Sequence, residues 1–207
     1  MDARTITLAG DPGRVEQGIV HVRDHVWPML QGMSGCLGIS MLADRRTGHC
    51  VVASAWAGAE DMAGHRETVH DLQQQIAEAL AARDAEVAEW HIAVLHRQQE
   101  SGAGACVRIT ELVFPPREGE GVVEAFKARL LPRLQHLPGF RSVSLLVDRH
   151  TDRAAVGVTF ADRASMHRSG GQGLALRADL TAATSATVTD VTEYDLALAH
   201  LRVPELT

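Results

Sequence analysis

The chain has 207 residues, of which 45% are hydrophobic and 22% charged, and its formal net charge is −6. That length is enough for one large core or two small ones. The acidic balance and the absence of a basic block exclude a nucleic-acid footprint. No apolar run approaches the length of a membrane span and no leader-like segment opens the chain, so the expected location is the cytoplasm.

Residues 4–10, "RTITLAG", alternate and are rich in β-branched side chains, which predicts a strand. Asp11 and Pro12 suit a helix start, and Val15, Ile19, Val22, Val26, Met29, Leu30 and Met33 then recur at helical spacing as one apolar stripe. Trp27 falls on the opposite face and is expected to be exposed. Ser34-Gly35 ends that helix. Residues 36–43 and 49–57 predict two strands around "DRRTG", where Gly48 can take the positive φ of a short hairpin loop. Glu60 and Asp61 fit the first turn of a second helix, which is expected to run to about Arg83, and residues 86–96 predict a last strand. The order is βαββαβ, a split βαβ plan in which a four-stranded antiparallel sheet carries both helices on one face.

The chain then repeats itself. When Asp44 is laid on Asp148, residues 4–96 match 108–200 without a gap. Identical pairs include Arg4 with Arg108, Pro12 with Pro116, Pro28 with Pro132, Gly35 with Gly139, Met62 with Met166, Glu89 with Glu193 and His96 with His200. Two copies are too few for a solenoid, so each must be a near-complete unit. The expected organisation is a first unit at 1–97, a polar glycine-containing linker at 98–105 and a second unit at 106–207. The expected fold class is α+β: two ferredoxin-like βαββαβ units packed sheet to sheet, an intrachain version of a dimeric α+β barrel. The second copy departs from the first at Gly170, Gly171 and Gly173. These weaken a helix by about 1 kcal/mol each relative to alanine, so a loop is expected there, with the helix resuming near Leu174.

The stretch "MSGCLGISMLADRRTGHCVVASAWAGAEDMAGH" resembles the core of antibiotic biosynthesis monooxygenase-like (ABM-like) proteins in the dimeric α+β barrel superfamily. "LPGFRSVSLLVDRHTDRAAVGVTFADRASMH" repeats the pattern. The resemblance implies a pocket between sheet and helices within a unit. It also implies an activity drawn from cofactor-independent oxygenation of quinols and aromatic polyketides or from haem degradation.

The residues on that pocket's side decide between readings. On the second helix His65 falls in the same arc as Met62, Val69, Leu72 and Ile76, which makes it the candidate general base for a phenol or quinol; its alternative is a core histidine. Trp56 ends the third strand and, with Met62 and Val69, would line the substrate site; its alternative is simple core packing. Ser169 stands where His65 does, so the first half is expected to carry the pocket. The leading expectation is a cofactor-independent monooxygenase of a small aromatic substrate, with a non-catalytic ligand-binding or scaffold protein as the alternative. Haem is a third option. Against it, the first strand has no Asn and His65 occupies the place of the Trp that haem-degrading relatives use, although His70 is near. No metal is expected: His21 and His25 have the spacing of a ligand pair but lack a third ligand. Cys36, Cys50 and Cys106 read as reduced structural thiols. Beyond the internal pseudo-dimer, Trp27 suggests a further homodimer contact.

Overall fold

The structure, a computed structural model, describes residues 1–148 and 150–206. Arg149, part of the repeat match, and Thr207 lie outside the described residues. The first half contains β1 (Asp2–Ala9), α1 (Val15–His21), α2 (Trp27–Gln31), β2 (Cys36–Ala43), β3 (His49–Trp56), α3 (Ala59–Gly64), α4 (Arg66–Ala79) and β4 (Asp84–Arg97). The second half repeats the order with β5 (Cys106–Val113), α5 (Gly119–Ala125), α6 (Leu131–Leu134), β6 (Phe140–Asp148), β7 (Arg153–Phe160), α7 (Arg163–Arg168), α8 (Gly170–Ala183) and β8 (Thr187–Leu201). The fold class is the expected one, α+β with two ferredoxin-like repeats. In the first unit the strands pair in the order β1-β3-β2-β8 and in the second in the order β5-β7-β6-β4, each of these pairs antiparallel. Among the described residues no helix is long and apolar enough to cross a membrane.

The hairpins form for the same local reason in both halves. The Asp44 carboxylate accepts from the Arg46 N–H at 2.9 Å and from the Thr47 hydroxyl at 2.6 Å, and Gly48 turns the chain at φ +81°. The Asp148 carboxylate accepts from the His150 N–H at 2.9 Å and from the Thr151 hydroxyl, and Asp152 makes the turn at φ +54°. Aspartate is among the few residues that visit this region at modest cost, which is why it can stand in for glycine. Partial burial pushes both Asp44 and Asp148 upward, but the hydrogen bonds from threonine and backbone outweigh it and hold each carboxyl below its ordinary range.

The first helix of each half is not uniform. Residues Val22–Val26 widen into a π turn, with the Trp27 N–H reaching the Val22 carbonyl, and Phe126–Leu130 do the same in the second half. Pro28 and Pro132 follow directly. A proline offers no N–H and its ring clashes with the carbonyl four residues back, and the wider turn relieves both. The register therefore shifts from the expected stripe: Val22, Val26 and Leu30 are buried, while Met29 is 48% exposed. Trp27, expected to be exposed, is half-buried against the first unit's core and stacks on His200 at 5.2 Å.

The second helix of each half breaks in two, at His65 (φ −110°, ψ 16°) and at Ser169 (φ −77°, ψ −4°). Past the second break the chain is helical from Gly170 onward, where a loop was expected. Tertiary contacts override propensity here. Ser169 is fully buried with its hydroxyl donating to the Met166 carbonyl at 2.6 Å, and the Gly173 N–H reaches the Ser169 carbonyl at 2.8 Å. Leu176 and Leu180 bury one turn and two turns on.

Two compact units result. The first comprises Met1–Trp90 with Asp195–Val203, the second His91–Tyr194 with the described residues from Pro204 onward. β4 and β8, at 14 and 15 residues, run well beyond the usual strand length, and each gives residues to both units. In the first unit β8 pairs antiparallel with β2, Ile39 opposite His200; in the second β4 pairs with β6, Leu95 opposite Ser144. The first unit's core gathers Leu8, Val22, Ile39, Met41, Trp56 and Leu72; the second's gathers Leu112, Phe126, Leu145, Phe160, Met166 and Leu180.

Candidate functional site

In the first unit the predicted residues do come together. The His65 ring stacks on Trp56 at a centroid distance of 5.6 Å, and its Nε2 lies 3.2 Å from the Ser34 hydroxyl. Trp56 is fully buried, and its indole N–H donates to the Ser54 hydroxyl at 3.0 Å. Met62 and Val69 are buried in the same core cluster as Trp56. His65 itself, at the junction of α3 and α4, is only half-buried.

A small cavity lies in the second unit between the sheet and α8. Its apolar wall comes from Leu130, Leu134, Leu137, Val156, Val158, Phe160, Leu176 and Leu180, and its polar side chains are Arg108, Thr110 and Arg177. The repeat explains its place. Thr110, Phe160 and Gly173 of the cavity correspond to Ile6, Trp56 and Val69 of the first unit, which are all larger and all buried. Val158 replaces Ser54, which is consistent chemistry: an indole N–H needs an acceptor when buried and a phenyl ring does not.

Arg108 is nearly buried and held on every side. Its Nε and Nη2 donate to the same Glu193 oxygen at 2.9 and 2.7 Å, Nη2 also donates to the Met166 carbonyl at 3.0 Å, and Nη1 lies 3.3 Å from the Ser169 hydroxyl. Its guanidinium carbon sits 5.7 Å from the centre of the Phe160 ring. The first unit keeps the same ion pair, Arg4 Nη2 to Glu89 at 2.5 Å, and both pairs are separated by 85 residues in sequence. Arg177 is different. It is half-buried and, among the described residues, makes no hydrogen bond or salt bridge. Burial and then the charge of Arg108 push its pKa below the ordinary arginine value, and Glu193 offsets this only in part. A Cβ added to Gly173 would lie 3.3 Å from Arg108 Nη1 and 3.5 Å from Arg177 Nη1, so the two guanidinium groups converge on the space that the missing side chain leaves.

The other polar clusters are smaller. His21 and His25 stack at 5.1 Å, and burial, then the neighbouring His25, lower the His21 pKa. Among the described residues no three His, Cys, Asp or Glu side chains group as a metal site requires. Burial pushes the Cys50 thiol up to about 11 and raises Cys36 as well.

The uncharacterized protein Rv2557 of Mycobacterium tuberculosis (strain H37Rv) is 43% identical to this chain over 204 residues, covering 99% of this chain and 91% of its own length. The chain belongs to the Rv2557 family. No family model matches it. Among solved structures, an anthrone oxidase-like protein superposes with a TM-score of 0.67 at 10% identity, covering 99% of this chain and 94% of its own. A ferredoxin-fold protein related to antibiotic biosynthesis monooxygenases, from Listeria monocytogenes, gives 0.54 at 11% identity, covering 95% and 94%. This member of the Rv2557 family therefore has the ABM-like fold, as the sequence motifs implied.

The sequence did not point to Arg108, Thr110, Gly173 or Arg177 as a site. A signal for half of it was present: Arg4 and Arg108, like Glu89 and Glu193, are identical across the repeat at matched spacing. The other half lies in differences, Gly173 against Val69 and Arg177 against Gln73, and a search for reactive side chains passes over a residue whose contribution is missing volume.

Proposed function

We propose that the protein binds a small, largely apolar molecule in the cavity of its second unit and acts as a ligand-binding member of the ABM-like fold. One observation carries this reading: Leu, Val and Phe side chains enclose the cavity, and its polar side chains are two arginines and a threonine. An arginine holds its proton at any ordinary pH, so this wall can bind and orient but cannot act as the base that removes a proton from a phenol. Binding of this kind requires neither metal nor organic cofactor. Calorimetric titration of the full chain with trans-cinnamate and cinnamyl alcohol tests it. Heat from either probe, lost in Gly173→Val and kept in His65→Ala, is the expected result. Absence of any Gly173-sensitive heat from both probes would overturn the reading.

A second reading rests on the stack of His65 on Trp56 beside the Ser34 hydroxyl. There His65 is the general base of a cofactor-independent oxygenase, and a small phenol or quinol approaches its open edge. Oxygen uptake with such a substrate, abolished in His65→Ala and untouched by Gly173→Val, would favour it over simple binding.

A further inference from the structure

Resting on the binding reading, we propose that the ligand of the second unit is an apolar monoanion, a carboxylate on a single-ring or similarly compact apolar body, with its charged end held between Arg108 and Arg177. Two positive groups converge at Gly173, and the carboxylate of this cluster, Glu193, is already engaged by Arg108 through two hydrogen bonds. One positive charge is left over. That charge resides on Arg177, half-buried, without a hydrogen bond or salt bridge among the described residues and next to a like charge. A guanidinium so placed is destabilised by desolvation and repulsion, and an entering anion relieves both. The side-on fork of a guanidinium matches a planar carboxylate, and the Thr110 hydroxyl on the same wall supplies a further neutral donor. The remaining wall is aliphatic, with the Phe160 ring at the Arg108 end, so the rest of the ligand is apolar. A dianion would exceed the uncompensated charge, and a neutral ligand would leave Arg177 unpaired.

The first unit supplies the control. Its counterpart of Arg177 is Gln73, its counterpart of Gly173 is Val69, and the second cation at its Arg–Glu pair, Arg66, is exposed and bonded to Glu89, so the same frame has no half-buried, unbonded cation at the position of Arg177 and a valine where the second unit has a glycine. The substitutions that convert one into the other are therefore built into the chain.

The test compares trans-cinnamate with cinnamyl alcohol, alike in shape and different in charge, by calorimetric titration of the full chain at low and moderate salt. A charge-assisted contact in a partly dry site predicts that the carboxylate binds about tenfold or more tighter, with the advantage shrinking as salt rises. Arg177→Gln should bring the two probes to within about threefold of each other, with an unchanged near-ultraviolet circular dichroism spectrum showing that the fold is intact. Equal affinities in the native protein, or a carboxylate preference that survives Arg177→Gln, would overturn the monoanion while leaving the binding reading in place. If neither probe gives Gly173-sensitive heat, the cavity itself is the wrong site and both fall.

Discussion

Position 69 carries valine and its counterpart 173 carries glycine; position 73 carries glutamine and its counterpart 177 carries arginine. Around these pairs the two units keep the same strands, the same π turn before a proline and the same pairing of a buried arginine with a partly exposed glutamate. The first unit uses its interior for packing, with Trp56 sealed under His65, and the second has given up side-chain volume and acquired charge at the same place. The comparison teaches that a repeated frame can open a cavity in one copy without altering the frame. Smaller side chains at three matched positions, Thr110, Phe160 and Gly173, and one added cation, Arg177, mark the difference.

The largest test of this contrast is truncation of the matched aromatics. Trp56→Ala removes a fully buried, hydrogen-bonded indole and should cost about 3–5 kcal/mol, read from urea denaturation. Phe160→Ala should cost clearly less, because its ring borders space that is already open. Equal losses would remove the difference in packing on which the comparison stands. Next come the ion pairs. Arg4→Met and Arg108→Met each remove a buried partner of a partly exposed glutamate and should cost about 1–2 kcal/mol. Arg108→Met should also reduce cinnamate binding, whereas Arg4→Met should leave it unchanged.

The hairpin aspartates provide a smaller effect on which the halves should agree. A carboxyl whose folded pKa lies below its unfolded value of about 3.9 contributes stability above that value and loses it as pH falls through the folded pKa. Asp44→Asn and Asp148→Asn should therefore each lower stability near pH 7 and flatten the acid limb below about pH 4, so that variant and native protein converge at low pH. The smallest effect concerns thiols. With Cys50 buried and its pKa pushed up to about 11, alkylation of the native protein at neutral pH should leave it unmodified while the partly exposed Cys36 reacts slowly; unfolding should make both react.

Much of this frame was legible in the chain. Strand positions, the repeat and the positive-φ turn at Gly48 and Asp152 follow from alternation, from an ungapped match and from the narrow set of residues that tolerate a left-handed backbone. What could not be read had three physical sources. Trp27 and Met29 exchanged environments because a π turn before Pro28 adds a residue to one turn, and a uniform 3.6 period has no place for it. The helix through Gly170, Gly171 and Gly173 forms because contacts from a distant strand, through Arg108, outweigh local propensity. The cavity escaped because it is space between elements, and the residues that decide it are distinguished by what they lack. His65 and Trp56, chosen for reactivity and size, do meet, but in the unit where the larger side chains stand.

The division of β4 and β8 between the units also has a consequence for biosynthesis. The first unit includes Asp195–Val203, so its sheet stays short of a strand from the time its first ninety residues have left the ribosome until residues 195–203 follow. At ordinary translation speeds that interval is roughly 5–20 s, long compared with the formation of a hairpin or a helix. Throughout it, the edge of β2 that later pairs with β8 is left unpaired, the condition in which a strand is most prone to pair with another chain.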